Sequence, residues 1–126
     1  MAYIYPQVET LIDKPAYGNQ QCAILIQHHA DAPLTAKWKE GTVVRGETLL
    51  AKGTAIATFV GGKYPNKSTG NHVAFYLSQD KTGLFVVDQY MGSNGIHQRK
   101  LHFKGKTPTG TFVDPSNNGD AFSVIE

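Results

Sequence analysis

Cys22 is the first residue in this sequence whose type and position could do covalent chemistry. It is the only cysteine of the chain and follows Gly18-Asn19, where the pattern predicts that a helix begins. Unpaired backbone N–H groups and the positive end of a helix dipole lower the pKa of a nearby thiol and favour the nucleophilic thiolate. A single cysteine on an apolar helix is more commonly a small core residue, so the interpretation depends on partners.

A predicted hairpin supplies two such partners. His72 begins one strand and Asp88 lies near the end of the next, and a five-residue turn between Leu77 and Gly83 would place them opposite each other. A two-residue shift of pairing would keep them on one face as diagonal neighbours, whereas a one-residue slip would separate them. The carboxylate would hold the imidazole in one tautomer and stabilise its charged form. With Cys22, the set is predicted to be a nucleophile, a base and an orienting acid; the alternative is a surface ion pair at a hairpin end.

The elements that carry these residues are predicted to be helical first and extended later. Pro6 and the spacing of Val8, Leu11 and Ile12 predict a first helix that ends at Pro15. A second helix is predicted to begin after Asn19 as its N-cap, with Cys22 at its third position and an apolar run to Ile26 that indicates burial. A short turn or helix is predicted over residues 34–40.

Strands are predicted over residues 53–60, 72–77, 83–90, 96–103 and 121–125, where β-branched or alternating apolar residues are bounded by turn residues. Helices followed by an antiparallel meander define an α+β class, with the N-terminal helices packed on the sheet. The length of 126 residues predicts a single domain over 1–126.

Composition excludes several functional classes. The net charge is +2 and the basic residues are scattered, so a nucleic-acid groove is not predicted. One cysteine permits neither an internal disulfide nor a cysteine-rich zinc site, and His97 and His102 face opposite sides of a strand; no metal and no cofactor are predicted. No apolar run approaches the roughly 20 residues of a membrane helix. The N-terminal residues show no signal peptide, so synthesis in a bacterial cytoplasm is expected.

Three segments resemble one enzyme family. The segment Tyr17-Gly18-Asn19-Gln20-Gln21-Cys22 resembles the Gly-Gln-Cys segment of CHAP-type amidases, which share a papain-like α+β fold with NlpC-type cell-wall peptidases. The segment Asn71-His72-Val-Ala-Phe resembles their Gly-His-Val-Ala strand, with Asn71 in place of the glycine. The segment Val87-Asp88-Gln89-Tyr90 resembles the strand that supplies their acid. Short proteins with this pattern are similar to the amidase effectors of type VI secretion.

The resemblance implies a cysteine amidase or endopeptidase that hydrolyses amide bonds in the stem peptides of bacterial peptidoglycan. Cys22, His72 and Asp88 would be its catalytic triad. The backbone N–H of Cys22 would bind the oxyanion together with a second donor from Gln21, Gln20 or Tyr17, of which the resemblance favours Gln21 and Tyr17. Tyr90 occupies the position of an asparagine found in some relatives.

The resemblance also implies how such a protein would act in a cell. An effector would be delivered into the periplasm of a target bacterium, and a cognate inhibitor protein would protect the producer by covering the cleft. Two alternatives stay open from the sequence. One is a papain-like binding module without activity, and the other is a cytosolic thiol hydrolase or acyltransferase acting on another substrate.

Overall fold

A six-stranded antiparallel sheet carries a single α-helix against one face. The computed structural model describes all residues from Met1 to Glu126. The strands are β1 (Glu40–Val43), β2 (Ala55–Thr58), β3 (Val73–Gln79), β4 (Gly83–Asp88), β5 (His97–His102) and β6 (Phe122–Ile125). Their order across the sheet is β1-β6-β2-β3-β4-β5. The predicted α+β class with an antiparallel sheet is confirmed.

The helix that carries the cysteine, α1, spans Cys22–His29, so its predicted start was wrong by two residues. Gln21 is its N-cap, and Cys22 is therefore the first helical residue rather than the third. Asn19 does not cap the helix, because its Oδ1 accepts a hydrogen bond from the backbone N–H of Gln21, 3.1 Å away and outside the helix. Asparagine side chains often make such local bonds two residues along the chain, which produces a turn instead of a cap.

The first predicted helix is only a short 3₁₀ helix over Val8–Leu11. Val8 and Leu11 are buried, and their spacing of three residues suits the three residues per turn of a 3₁₀ helix. Asp13 has a left-handed φ of 65°, which stops the segment before Pro15. None of the helices is long and apolar enough to cross a membrane.

The segment predicted as a turn or helix over 34–40 contains a 3₁₀ helix at Thr35–Lys37 and leads directly into β1, which was not predicted. β1 is an edge strand that pairs only with β6. Three of its four residues are exposed, so its sequence lacks the alternation that reveals a half-buried strand.

Strands β2 to β5 form the predicted meander, in which each strand pairs with the next. The chain then returns along 103–121, and β6 inserts between β1 and β2. All four residues of β2 and of β6 are buried, because these central strands have apolar cores on both faces of the sheet. Residues 55–58 and 122–125 thus confirm the strands predicted there, with shorter bounds.

The sheet separates two apolar cores. On one face, Leu25 and Ile26 of α1 pack against a set that includes Val73, Phe75 and Val87. On the other face, the side chains of Ile56, Tyr76, Val86, Phe122 and Val124 form a second core. The helix therefore has a buried face, while its first residue lies at one end of the sheet, beside the beginning of β3.

The pairing of β3 with β4 differs from the predicted register. Phe75 pairs with Val87 and Tyr76 with Val86, which places His72 diagonal to Asp88 rather than opposite it. The predicted five-residue turn is also shorter, because Gln79 already pairs with Leu84. The register changes between Tyr76 and Ser78, where β3 contains one extra residue, a β-bulge.

Candidate active site

Cys22 lies at the N-terminus of α1 in a cleft between the helix, the 61–71 loop and the ends of β3 and β4. Its side chain is half-buried and packs against the helix-side core. The first backbone N–H groups of a helix have no partner within the helix, and that of Cys22 is one of them because Cys22 is the first residue of α1. The residues that line the cleft are Gln21, Cys22, Ala23, Tyr64, Asn66, Lys67, Ser68, Asn71, His72, Tyr90 and Met91.

His72 lies at the beginning of β3 and forms a buried pair with Asp88 at the end of β4. The distance between His72 Nε2 and Asp88 Oδ2 is 2.6 Å, and the two residues are only 5% and 1% exposed. The backbone N–H of His72 also donates to Oγ1 of Thr58, which fixes the start of the strand. Because Asp88 occupies Nε2, the other ring nitrogen, Nδ1, is left for the thiol of Cys22.

The thiol and the imidazole change each other's ionisation. Burial acts to raise the pKa of Cys22, but a hydrogen bond with His72 and the charge of the imidazolium bring that pKa below its ordinary value. Burial acts to lower the pKa of His72, but hydrogen bonds with Asp88 and Cys22 outweigh it and raise that pKa to about 9. The lowered pKa of Cys22 and the raised pKa of His72 both favour the thiolate–imidazolium pair, which is the nucleophilic form of a Cys–His pair.

Arg99 of β5 holds the other side of Asp88. Its Nε lies 3.1 Å and 3.0 Å from the two carboxylate oxygens, and its Nη2 lies 2.7 Å from Oδ2. The arginine also donates from Nη1 to Asn117 and lies over the ring of Tyr90, 5.0 Å from its centroid. Burial acts to raise the pKa of Asp88, and the hydrogen bonds with His72 and Arg99 lower it below its ordinary value.

Two anions and two cations therefore meet at the site: the Cys22 thiolate faces His72, and His72 and Arg99 both bind Oδ2 of Asp88, with Arg99 Nη2 3.5 Å from His72 Nε2. Their sum is zero, so this group of largely buried residues carries no net charge that the protein would have to solvate. The carboxylate accepts hydrogen bonds from both cations, which fixes its orientation. In chemical terms the arrangement offers a nucleophile, a proton donor and acceptor beside it, and a carboxylate that orients the imidazole.

Known proteins resemble this chain over nearly its whole length. The family model described as domesticated amidase effector 2 matches residues 8–125. The chain belongs to the domesticated amidase effector 2 family. It is 38% identical over 133 residues to the type VI secretion amidase effector 2 protein of Salmonella typhi, with all of both proteins covered. It also superposes on the solved structure of type 6 secretion amidase effector 2 (Tae2) with a TM-score of 0.90 and 36% identity, covering 98% of this chain and 94% of that one.

The amidase-effector function predicted from the sequence is confirmed by this family membership. The structure of this family member also places the predicted site residues. Gln21, Cys22, His72 and Tyr90 share the cleft, and Asp88 lies directly behind His72.

Tyr17 is not among the residues that line the cleft. Its ring stacks on His28 near the other end of α1, with ring centroids 4.0 Å apart. Its backbone instead contributes to the shape of the loop before the helix, through hydrogen bonds with the side chain of Gln89.

Three residues that surround this candidate site were not predicted from the sequence. Arg99 could have been found from register, because it pairs with Val86 and so shares a face with Asp88. The second is the fully buried Gln89, whose amide binds the backbone of Tyr17 at both N and O and the carbonyl of Gln21. Tyr64 is the third, and no local pattern indicates it, because it lies in a polar loop far from Cys22 in sequence.

Proposed function

We propose that this chain is a cysteine amidase that hydrolyses peptide bonds of bacterial peptidoglycan, with Cys22, His72 and Asp88 as its triad. One observation carries the proposal: a thiol at a helix start lines the same cleft as an imidazole that lowers its pKa, and Nε2 of that imidazole lies 2.6 Å from a buried carboxylate. Family membership supports the amidase reaction. A papain-like fold of the CHAP or NlpC type accounts best for the order of helix, cysteine, sheet, histidine and acid.

The first half of the proposed reaction acylates the enzyme. The Cys22 thiolate attacks the amide carbon, a C–S bond forms, and the electron pair of the carbonyl π bond moves to its oxygen. When the carbonyl re-forms, the C–N bond breaks and the His72 imidazolium gives its proton to the departing nitrogen. The products are a thioester on Cys22 and a free amine, and His72 is left neutral.

The second half hydrolyses the thioester. Neutral His72 accepts a proton from water as the water oxygen attacks the thioester carbon. A second tetrahedral oxyanion forms and collapses, the C–S bond breaks, and the thiolate and imidazolium are restored. Asp88 stabilises the imidazolium in both halves, and Arg99 keeps the carboxylate aimed at Nε2.

The backbone N–H of Cys22 is proposed as one donor to the oxyanion, since helix-start N–H groups lack helical partners and lie next to the sulfur. Gln21 is retained as a further candidate because it lines the cleft. Tyr17 has less support in that role, because it stacks on His28 outside the lining. Tyr90 borders the cleft, 40% exposed, where its ring can contact substrate.

The proposal includes delivery and protection. The chain would reach the cell wall of a target bacterium by type VI secretion. This route is supported by its Salmonella typhi relative, which is described as a type VI secretion amidase effector 2 protein. A cognate inhibitor would then protect the producing cell by covering the cleft.

The decisive experiment incubates the purified protein with soluble peptidoglycan fragments and identifies the products by mass spectrometry. We expect cleavage of one class of amide bond, and no cleavage by Cys22→Ala, with thermal melting verifying that the variant is folded. Fragments left intact by the wild-type protein would contradict the proposed substrate. Cleavage by Cys22→Ala would contradict the proposed nucleophile.

A second experiment distinguishes an amidase that acts on the cell wall from a hydrolase that acts in the cytosol. Expression with an added periplasmic signal should lyse cells, whereas cytosolic expression and periplasmic Cys22→Ala should not. Equal harm from both compartments would favour the cytosolic hydrolase or acyltransferase. Binding of the fragments without any turnover would favour a papain-like binding module.

A further inference from the structure

Tyr64 lies in the loop that connects β2 to β3, and a tight turn directs it back toward the cleft. Gly61 and Gly62 have φ values of +59° and +80°, a left-handed pair that suits a two-residue hairpin turn. Val60 and Lys63 on either side exchange two backbone hydrogen bonds of 2.8 Å and 3.1 Å. The next residue is Tyr64, the only one of residues 60–71 that is buried.

The ring of Tyr64 is held by packing. It is 8% exposed and lies against Trp38, with ring centroids 5.1 Å apart at an angle of 55°. Trp38 is itself fixed by a hydrogen bond of 2.9 Å from its Nε1 to the carbonyl of Pro33. The packed ring holds its hydroxyl in the same cleft and core as Cys22, and this phenol helps to lower the pKa of the thiol.

The hydroxyl keeps its proton over the whole range in which the thiol reacts. Burial and the neighbouring Cys22 raise the pKa of Tyr64 far above its ordinary value. A phenol that stays protonated beside a thiolate can act only as a donor toward it. No step of the proposed acyl transfer yet uses this donor, which lines the cleft beside Cys22.

We propose that Tyr64 is a catalytic residue whose hydroxyl donates a hydrogen bond to the Cys22 thiolate and then to the oxyanion of the tetrahedral intermediate. The inference rests on the proposed function, because it concerns the same acyl transfer. As the C–S bond forms, negative charge moves from sulfur to the oxygen on the attacked carbon, one atom farther away. A donor that reaches the sulfur is thus close to the charge at both stages.

The hydrogen bond from Tyr64 differs in strength between the two stages, and that difference would accelerate the reaction. Sulfur is a weak hydrogen-bond acceptor, whereas a charged oxygen is a strong one. The Tyr64 bond is therefore stronger in the tetrahedral intermediate than in the resting enzyme. Only an interaction that strengthens toward the transition state raises kcat.

The test compares two reactions of Cys22 in Tyr64→Phe. p-Nitrophenyl acetate acylates a thiolate through a tetrahedral oxyanion, whereas iodoacetamide alkylates it by displacement without one. We expect the ratio of acylation to alkylation rate to fall by about 10²-fold or more, the usual effect of removing one oxyanion donor. The matched control is Tyr5→Phe, whose ring packs on Phe75, and its ratio should equal that of the wild type.

An unchanged ratio in Tyr64→Phe would overturn the proposal. An equal fall in both rates is one way to obtain an unchanged ratio, and it would mean that the hydroxyl acts only on the thiolate. Thermal melting verifies that Tyr64→Phe is folded. A second measurement needs no variant: in a crystal structure of the wild-type adduct with N-acetylalaninal, the hydroxyl should lie about 2.7–3.1 Å from the adduct oxygen. An oxygen that points away from Tyr64 would also overturn the proposal.

These outcomes are separate from failure of the proposed function. Both probes are small molecules, so the ratio does not depend on peptidoglycan as substrate. A wild-type protein that leaves peptidoglycan intact would contradict the substrate, while the ratio would still decide the role of Tyr64.

Discussion

His72 and Asp88 are diagonal neighbours across β3 and β4, and Nε2 of one lies 2.6 Å from Oδ2 of the other. The bulge in β3 makes this possible. Near the turn, Gln79 pairs with Leu84; without interruption, that register would bring Asp88 opposite Phe75, on the face away from His72. The extra residue between Tyr76 and Ser78 shifts the pairing by one and returns both side chains to one face.

Asp88→Asn should retain the fold and lose activity. An amide in place of the carboxylate no longer stabilises the imidazolium and permits the wrong tautomer of His72. We expect kcat to fall by at least about 100-fold, within the range of general acid–base contributions. Product release from peptidoglycan fragments measures the effect, and Asp31→Asn, which changes an exposed carboxylate, is the control. Full turnover in Asp88→Asn would mean that another group orients the imidazole.

Arg99→Gln tests the cation behind Asp88. The variant removes three charge-assisted contacts, and we expect the free energy of unfolding to fall by roughly 1.5–3 kcal/mol, the range for hydrogen bonds to charged groups. Loss of a nearby positive charge also favours the imidazolium, so the pKa of His72 should rise further. Urea unfolding and the alkaline limb of the pH profile give the two readouts. The control is Lys100→Gln, which removes an exposed ion pair with Asp80. It should change neither the free energy of unfolding nor the pKa of His72 by a comparable amount.

Gln89→Glu tests how the loop before α1 is held. The Gln89 Nε2 donates to the carbonyls of Tyr17 and Gln21 at 3.0 Å and 2.9 Å, and a carboxylate would place a second acceptor there. We expect a loss of about 1–3 kcal/mol in unfolding free energy. Faster amide hydrogen exchange over residues 17–22 and a lower kcat should accompany it. Gln98→Glu on the exposed side of β5 is the matched control. Unchanged exchange in the loop would show that other contacts define its shape.

The pH profiles of alkylation and hydrolysis should separate at high pH. His72 has a raised pKa of about 9, so its imidazolium persists below that pH and is lost above it. Hydrolysis should fall above about pH 9, because neutral imidazole cannot protonate the leaving amine. Alkylation by iodoacetamide needs only the thiolate and should continue there.

At low pH, Cys22 should be alkylated faster than a thiol of ordinary pKa. The pKa of Cys22 is lowered by its hydrogen bond with the imidazolium, against the effect of burial. Alkylation should therefore proceed at pH 6 and slow in His72→Ala. A rate that rises only above pH 8 and ignores His72→Ala would identify Cys22 as an ordinary core thiol.

Local patterns in the sequence determined the class of the fold and much of the candidate site. Apolar and β-branched residues bounded by turn residues define β2 to β4, because a strand covered on both faces needs apolar side chains on both. Because side chains alternate along a strand, the expected register and one shifted by two residues both place His72 and Asp88 on one face. The resemblance of the segments around Cys22, His72 and Asp88 indicates the amidase family. These signals are readable because each depends on residues close together in the chain.

Only the tertiary structure decided the rest. β1 is exposed at a sheet edge and exists because β6 pairs with it, which its own residues do not indicate. The register of the hairpin depends on the bulge at Leu77, whose side chain packs against the helix-side core. Arg99 and Tyr64 reach the site from elements 11 residues after Asp88 and 42 residues after Cys22. Such contacts form only when the sheet and loops assemble, because burial and charge pairing act through space and not along the chain.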